Sequence, residues 1–128
     1  MDKSLIGKRS RAKGLRFERK VRLDLEKNGW TVLRFSNNVD LDKDILIPAK
    51  PGRFRASNTG FPDFLAYTIS DVNPSKFIIH GVECKTNGYL DPTERKKIRY
   101  FIRNKVFTNV VVARIGKKRG SIIYEEWK

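Results

Sequence analysis

Residues 8 to about 28 read as a helix, because Gly14, Glu18, Val21 and Leu25 recur at i, i+4, i+7 and i+11 and line one face. Asn28-Gly29 supplies the glycine stop signal. Trp30–Phe35 (WTVLRF) is rich in β-branched and aromatic residues and predicts a strand. Residues 36–60 break the pattern. Ser36-Asn37-Asn38 is polar, Val39–Asp44 is acidic, Ile45–Ile47 is a short apolar run, and Lys50–Arg55 carries Pro, Gly and two Arg. This stretch is expected to be a long inserted loop, with room for a small hairpin inside it, and loops of that length are commonly functional.

Regular patterning resumes at Phe64–Ile69 (FLAYTI), a second strand. The turn-rich Ser70–Ser75 joins it to Lys76–Lys85 (KFIIHGVECK), whose apolar run suits a central strand. Asp91-Pro92-Thr93-Glu94 has the form of a capping box, with Asp at the N-cap, Pro at N1 and Glu at N3. A second helix follows to about Lys105, with Ile98, Phe101 and Ile102 as its apolar face. Asn109–Ile115 reads as a buried strand, Gly116–Gly120 as a basic turn and Ser121–Trp127 as a returning strand. The class is α/β, with one sheet and at least two helices.

At 128 residues the chain is expected to be a single domain, 1–128. Its charge changes the picture more than its size does. Lys and Arg number 28 against 14 Asp and Glu, a net +14. Self-repulsion of that size disfavours the compact state, so a polyanionic partner, nucleic acid above all, is the expected reason for it. Residues 1–35 carry 11 basic and 4 acidic residues, and residues 95–119 carry 10 basic and none acidic. Two basic blocks thus flank an acidic middle. The single cysteine, Cys84, excludes an internal disulfide and a Cys-rich zinc site. No apolar run is long enough to span a membrane, and no hydrophobic signal core follows the N-terminal basic residues. The expected location is cytoplasmic and nucleoid-associated, with no membrane partner.

Candidate chemistry rests on Glu18, Asp63, Glu83 and Lys85. Side chains alternate along a strand, so Glu83 and Lys85 share a face and Cys84 takes the other. If the second and third strands form an antiparallel hairpin, Asp63 lies beside Glu83 and Lys85. Two carboxylates one ion's width apart suit Mg²⁺ or Mn²⁺, hard cations that prefer oxygen ligands and accept phosphate oxygens. Lys85 would orient or activate the attacking water, or offset charge at the phosphate. Glu18 sits in an apolar stripe and needs a partner, which the same site would provide.

Pro62-Asp63 followed by Glu83-Cys84-Lys85 resembles the PD-(D/E)xK nuclease signature. Lys13-Gly14-x-x-x-Glu18-Arg19, followed by Gly29-Trp30-Thr31-Val32-Leu33-Arg34, resembles the opening of archaeal-type Holliday junction resolvases. The resemblance covers about 1–35 and 60–115. It implies a restriction-endonuclease-like mixed β-sheet flanked by helices, in the order α-β-β-β-α-β-β. It also implies Glu18, Asp63 and Glu83 as Mg²⁺-associated acids, Lys85 as the catalytic lysine, and a homodimer cutting a four-way DNA junction. The segment before Asp63 is longer than that family's, which leaves Ser36 and Ser57 both open as the serine its members use. Thr86–Arg95 (TNGYLDPTER) looks more like the VRR-type branch, in which a glutamine follows; Glu94 stands near that place here, and helix capping accounts for it.

Arg9, Arg11, Lys13, Arg16 and Arg19 are expected to grip phosphates near the cut. Arg53 and Arg55 would enter a groove, and Lys117, Lys118 and Arg119 would hold a flanking duplex arm. His80 and Cys84 read as structural, the alternating Asp40, Asp42 and Asp44 as a solvated loop, and Trp127 as packing on the sheet or on a second subunit. Three functions compete: a junction resolvase, a VRR-like, homing or restriction-type nuclease on duplex or flap DNA, and a non-catalytic basic DNA-binding module.

Overall fold

Phe17, Val21 and Leu25 are the buried side chains of the first helix, spaced one turn apart. They seat α1 (Lys3–Lys27) on one face of a sheet, against Val32, Phe64, Ala66, Val82 and Ala113. The computed structural model describes residues 3–49 and 60–127. Two points of the sequence reading change. The helix begins five residues before the expected start, and its apolar stripe is carried by Phe17, with Glu18 on the flank. None of its described side chains before Phe17 is buried, so about 20 Å of helix runs outward with no buried position to mark where it starts.

The strands are β1 (Thr31–Arg34), β2 (Asn37–Asp40), β3 (Ile45–Pro48), β4 (Phe64–Ile69), β5 (Phe77–Cys84), β6 (Asn109–Ile115) and β7 (Ile122–Trp127), with α2 (Pro92–Arg103) between β5 and β6. Five of them make a mixed sheet in the order β1-β4-β5-β6-β7, with β5 in the middle as its apolar run requires. Only β5 and β6 run parallel; the other neighbours are antiparallel. Helix α2 is the crossover between the parallel pair. The sheet is therefore flanked by a helix on each face.

The segment expected to be a loop contains a two-stranded antiparallel sheet, β2 with β3. Asp40 organises its turn: one carboxylate oxygen accepts the backbone N–H groups of Asp42 and Lys43. Val39 is buried, and Leu41 and Leu46 pack beside α2 in the second core. That core joins Ile98, Tyr100 and Phe101 of α2 to Phe61, Phe107, Val110 and Val112. Phe101 contacts Phe35, Phe61, Tyr100 and Phe107 by ring packing. Alternation along β6 explains the two cores, with Val110 and Val112 facing α2 and Ala113 facing α1. Leu33, Ile69 and Phe77 remain exposed on the sheet.

Candidate active site

The β4–β5 ladder pairs Phe64 with Val82, and one further step sets Asp63 opposite Glu83. Two reciprocal hydrogen bonds lock that step. The Asp63 N–H donates to Glu83 Oε1 at 3.1 Å, and the Cys84 N–H donates to Asp63 Oδ2 at 2.9 Å. The Phe35 N–H donates to the Asp63 carbonyl at 3.1 Å, so β1 holds the same residue from the other side. The antiparallel hairpin expected from sequence thus forms, and it brings the two acids together. Glu83 is 5% exposed and is the buried charged residue of the described chain.

Helix α1 brings Glu18 to this cluster, because it follows the buried Phe17 and so overhangs the sheet end. Its carboxyl neighbours that of Asp63 closely enough for the two to interact, and lies 3.6 Å from the Arg34 guanidinium. Arg34 stacks over the Phe64 ring, 4.9 Å from its centroid. Lys85, just past the end of β5, reaches Glu83 at 3.6 Å and Glu94 at 2.5 Å. Glu94 was expected to serve capping alone. It does complete the capping box, accepting from the Asp91 N–H while Asp91 accepts from the Glu94 N–H, and it also holds Lys85.

These positions fix the electrostatics. Burial and the neighbouring Asp63 push Glu18 up to about 7, against the opposing pull of Arg34. Burial and Asp63 hold Glu83 well above the usual carboxylate range, although Lys85 works the other way. Partial burial disfavours the Lys85 ammonium, but the bond to Glu94 and the charges of Glu83, Glu94 and Asp63 outweigh it and raise its pKa. Burial and the neighbouring acids push the Cys84 thiol up, which suits a packed side chain and not a nucleophile.

Among the described residues, no three His, Cys, Asp or Glu side chains form a ready-made metal cage. Glu18 and Glu83 lie on either side of Asp63, and each carboxyl is raised by it. Burial and mutual repulsion make the two end carboxyls hold protons at pH values where free ones are ionised. A divalent cation can replace those protons, and the donors are all hard oxygens. Hard oxygens are the donor type that Mg²⁺ and Mn²⁺ prefer.

The topology gathers basic residues at the same end of the sheet. Arg9, Arg11, Lys13, Arg16 and Arg19 are exposed on α1, on or just beyond the outward half that leads to Glu18. Lys117, Lys118 and Arg119 are exposed in the β6–β7 turn, which follows the carboxyl end of β6 and so neighbours Lys85. Arg53, Arg55 and Ser57 lie outside the described residues. Ser36 is exposed, and its carbonyl accepts from the Ala49 N–H at the base of the β2–β3 pair. His80 packs on Trp30 with ring centroids 4.7 Å apart, and Trp127 packs against the α2-side core.

Sequence reasoning missed two contacts. Arg34 entered only as part of a matched string; its place at the end of a strand leading to Asp63 was the available signal. Glu94 has a complete local role in the capping box, and that role hides its reach to Lys85. Comparison with protein-family models, with curated proteins and with solved structures returns no match.

Proposed function

We propose that this chain is a metal-dependent, structure-selective DNA endonuclease that hydrolyses phosphodiester bonds, with a Holliday junction resolvase-like activity and a restriction-endonuclease-like sheet. One observation carries the reading. Three carboxylates and a lysine from α1, β4, β5 and their junctions converge at one sheet end, and exposed cations surround that end. Glu83 accepts the Asp63 N–H, a bond an amide could also supply, whereas like charges that share a desolvated site cost stability, so the carboxylate there calls for a functional reason.

Bound by Glu18, Asp63 and Glu83, Mg²⁺ would supply Lewis acidity and a water of lowered pKa. The residues of the chain do the rest. Lys85 donates a hydrogen bond toward the reacting phosphate or the attacking water. Arg34 neighbours Glu18 and can take up a phosphate oxygen. Arg9, Arg11, Lys13, Arg16, Arg19, Lys117, Lys118 and Arg119 bind backbone phosphates and position the strand without reading bases. A homodimer belongs to the proposal, and the exposed Leu33, Ile69 and Phe77 of the sheet are among the apolar side chains open to it. Sedimentation that finds only monomer, with and without DNA, removes that part.

The deciding experiment compares cleavage of a four-way junction, a flap and a plain duplex in Mg²⁺, in EDTA and with Asp63→Asn. Junction cleavage that needs Mg²⁺ and is lost in Asp63→Asn is the expected result. Preference for plain duplex ends the resolvase reading and leaves a duplex nuclease. DNA binding with no cleavage of any substrate, unchanged by Glu83→Ala, points to a non-catalytic module.

A further inference from the structure

We infer that Glu94 is a positioning residue that fixes the Lys85 ammonium over the carboxylate cluster; this deepens the nuclease reading and rests on it. Glu94 is the N3 residue of α2, and an N3 glutamate in a capping box turns back over the helix start. Here the helix start faces the carboxyl end of β5, because only residues 85–91 connect the two. That connection is pinned. The Lys85 N–H donates to the Ala113 carbonyl, the Gly88 N–H donates to the Lys85 carbonyl, and Leu90 is buried. Gly88 holds a φ of 76° and passes so close to Arg114 that a Cβ there would meet its side chain at 2.6 Å. The backbone of Lys85 and the start of α2 are therefore set relative to each other.

The two oxygens of Glu94 divide the work. Oε1 accepts from the Asp91 N–H at 3.1 Å, and Oε2 accepts from Lys85 Nζ at 2.5 Å. The ammonium has three N–H donors. Glu94 takes one and Glu83, at 3.6 Å, attracts another, which leaves the third for a substrate oxygen. A free lysine must give up side-chain rotamer freedom to reach one geometry; Glu94 fixes that geometry before substrate arrives. A side chain needed only for capping would not require the second oxygen, so glutamine at this position separates the roles. Its carbonyl can keep the cap, while its NH₂ group would face the ammonium donor to donor.

Glu94→Gln should lower kcat for Mg²⁺-dependent cleavage of a four-way DNA junction by roughly 10- to 100-fold, the range typical when a hydrogen-bond partner that orients a metal ligand is lost and the size taken here for a lysine held in the same way. KM should stay near the wild-type value, since Glu94 is turned inward from the exposed cations. In a Lys85→Ala background the same substitution should have no further effect on kcat. Asp91→Ala breaks the cap without touching Lys85 and should leave kcat near wild type, at a cost in melting temperature. The proposal is overturned if wild-type protein cleaves and Glu94→Gln cleaves equally fast. It is also overturned if Asp91→Ala loses as much kcat as Glu94→Gln, or if Glu94→Gln slows Lys85→Ala further. A wild-type chain that cleaves no DNA overturns the nuclease reading and this inference together.

Discussion

Raising the pH from 5 to 7.5 without divalent cations should destabilise the fold, and Glu18 should account for much of the loss. Its carboxyl takes up a proton at about 7 in the folded chain, against an ordinary 4.5. The folded state thus binds that proton more tightly than the unfolded state does. Stability from this group is fully present below 4.5 and is lost as pH rises through about 7. A difference of that size is worth on the order of 3 kcal/mol, or roughly 10 °C in melting temperature for a domain of this length. Glu83 is raised as well and acts with the same sign, extending the loss to higher pH. His80 acts oppositely. Burial lowers its pKa from 6.5, so its contribution is lost as pH falls through that region. Glu18→Gln separates these effects, because the amide does not titrate and its NH₂ can donate to Asp63. Thermal melts of both proteins in EDTA at half-unit pH steps are the assay. The wild type should lose roughly 10 °C more than Glu18→Gln between pH 5 and 7.5. Parallel curves for the two proteins would refute the assigned burial and repulsion at Glu18.

Mg²⁺ titrated into the protein at pH 6.5 should release protons and raise the melting temperature, with less release at pH 8.5; calorimetry in buffers of different ionisation enthalpy counts them. Phe101→Ala removes a fully buried ring that packs on four others and should cost about 4 kcal/mol by urea unfolding. A loss below about 1 kcal/mol would show that the α2-side core can collapse around the gap. Replacing Lys117, Lys118 and Arg119 together by Ala should weaken DNA binding about equally for all sequences. It should also reduce the slope of log affinity against log salt by roughly 2 to 3, measured by fluorescence anisotropy.

What could be read from the residues depended on how far each inference had to reach. The Asp63–Glu83 pairing was legible, because two neighbouring strands joined by a short turn leave few registers that bury Phe64, Ala66 and Val82 together. The capping box was legible because its signal lies within four residues. The start of α1 was not, since its first fourteen residues make no apolar pattern and the helix there is continued from a core that begins at Phe17. The β2–β3 pair was visible only as a small hairpin with room inside the loop, because its four-residue strands depend on Val39 and Leu46 joining the core that α2 shares. Arg34 and Glu94 required knowing which element ends meet. Local reasoning gave Glu94 an adequate partner in the cap and gave Arg34 none.

The carboxylate cluster also sets stability against activity. Glu83 is desolvated beside Asp63, with Lys85 as its cation 3.6 Å away, and that cation is shared with Glu94. Glu83→Gln keeps an oxygen to accept the Asp63 N–H and gains an NH₂ that can donate to the Asp63 carboxylate. It removes a carboxyl whose charged form burial and Asp63 disfavour, and Lys85 keeps Glu94. In EDTA at pH 8 the variant should therefore be more stable than the wild type by on the order of 1 kcal/mol, the range typical of relieved functional-site strain. In Mg²⁺ the order should reverse, because the wild type gains a ligand-bound state that the amide holds poorly. Urea unfolding with and without Mg²⁺ reads both terms. If Glu83→Gln destabilises the chain in EDTA, the buried carboxylate is a structural hydrogen-bond acceptor, and its burial says nothing about chemistry at this end of the sheet.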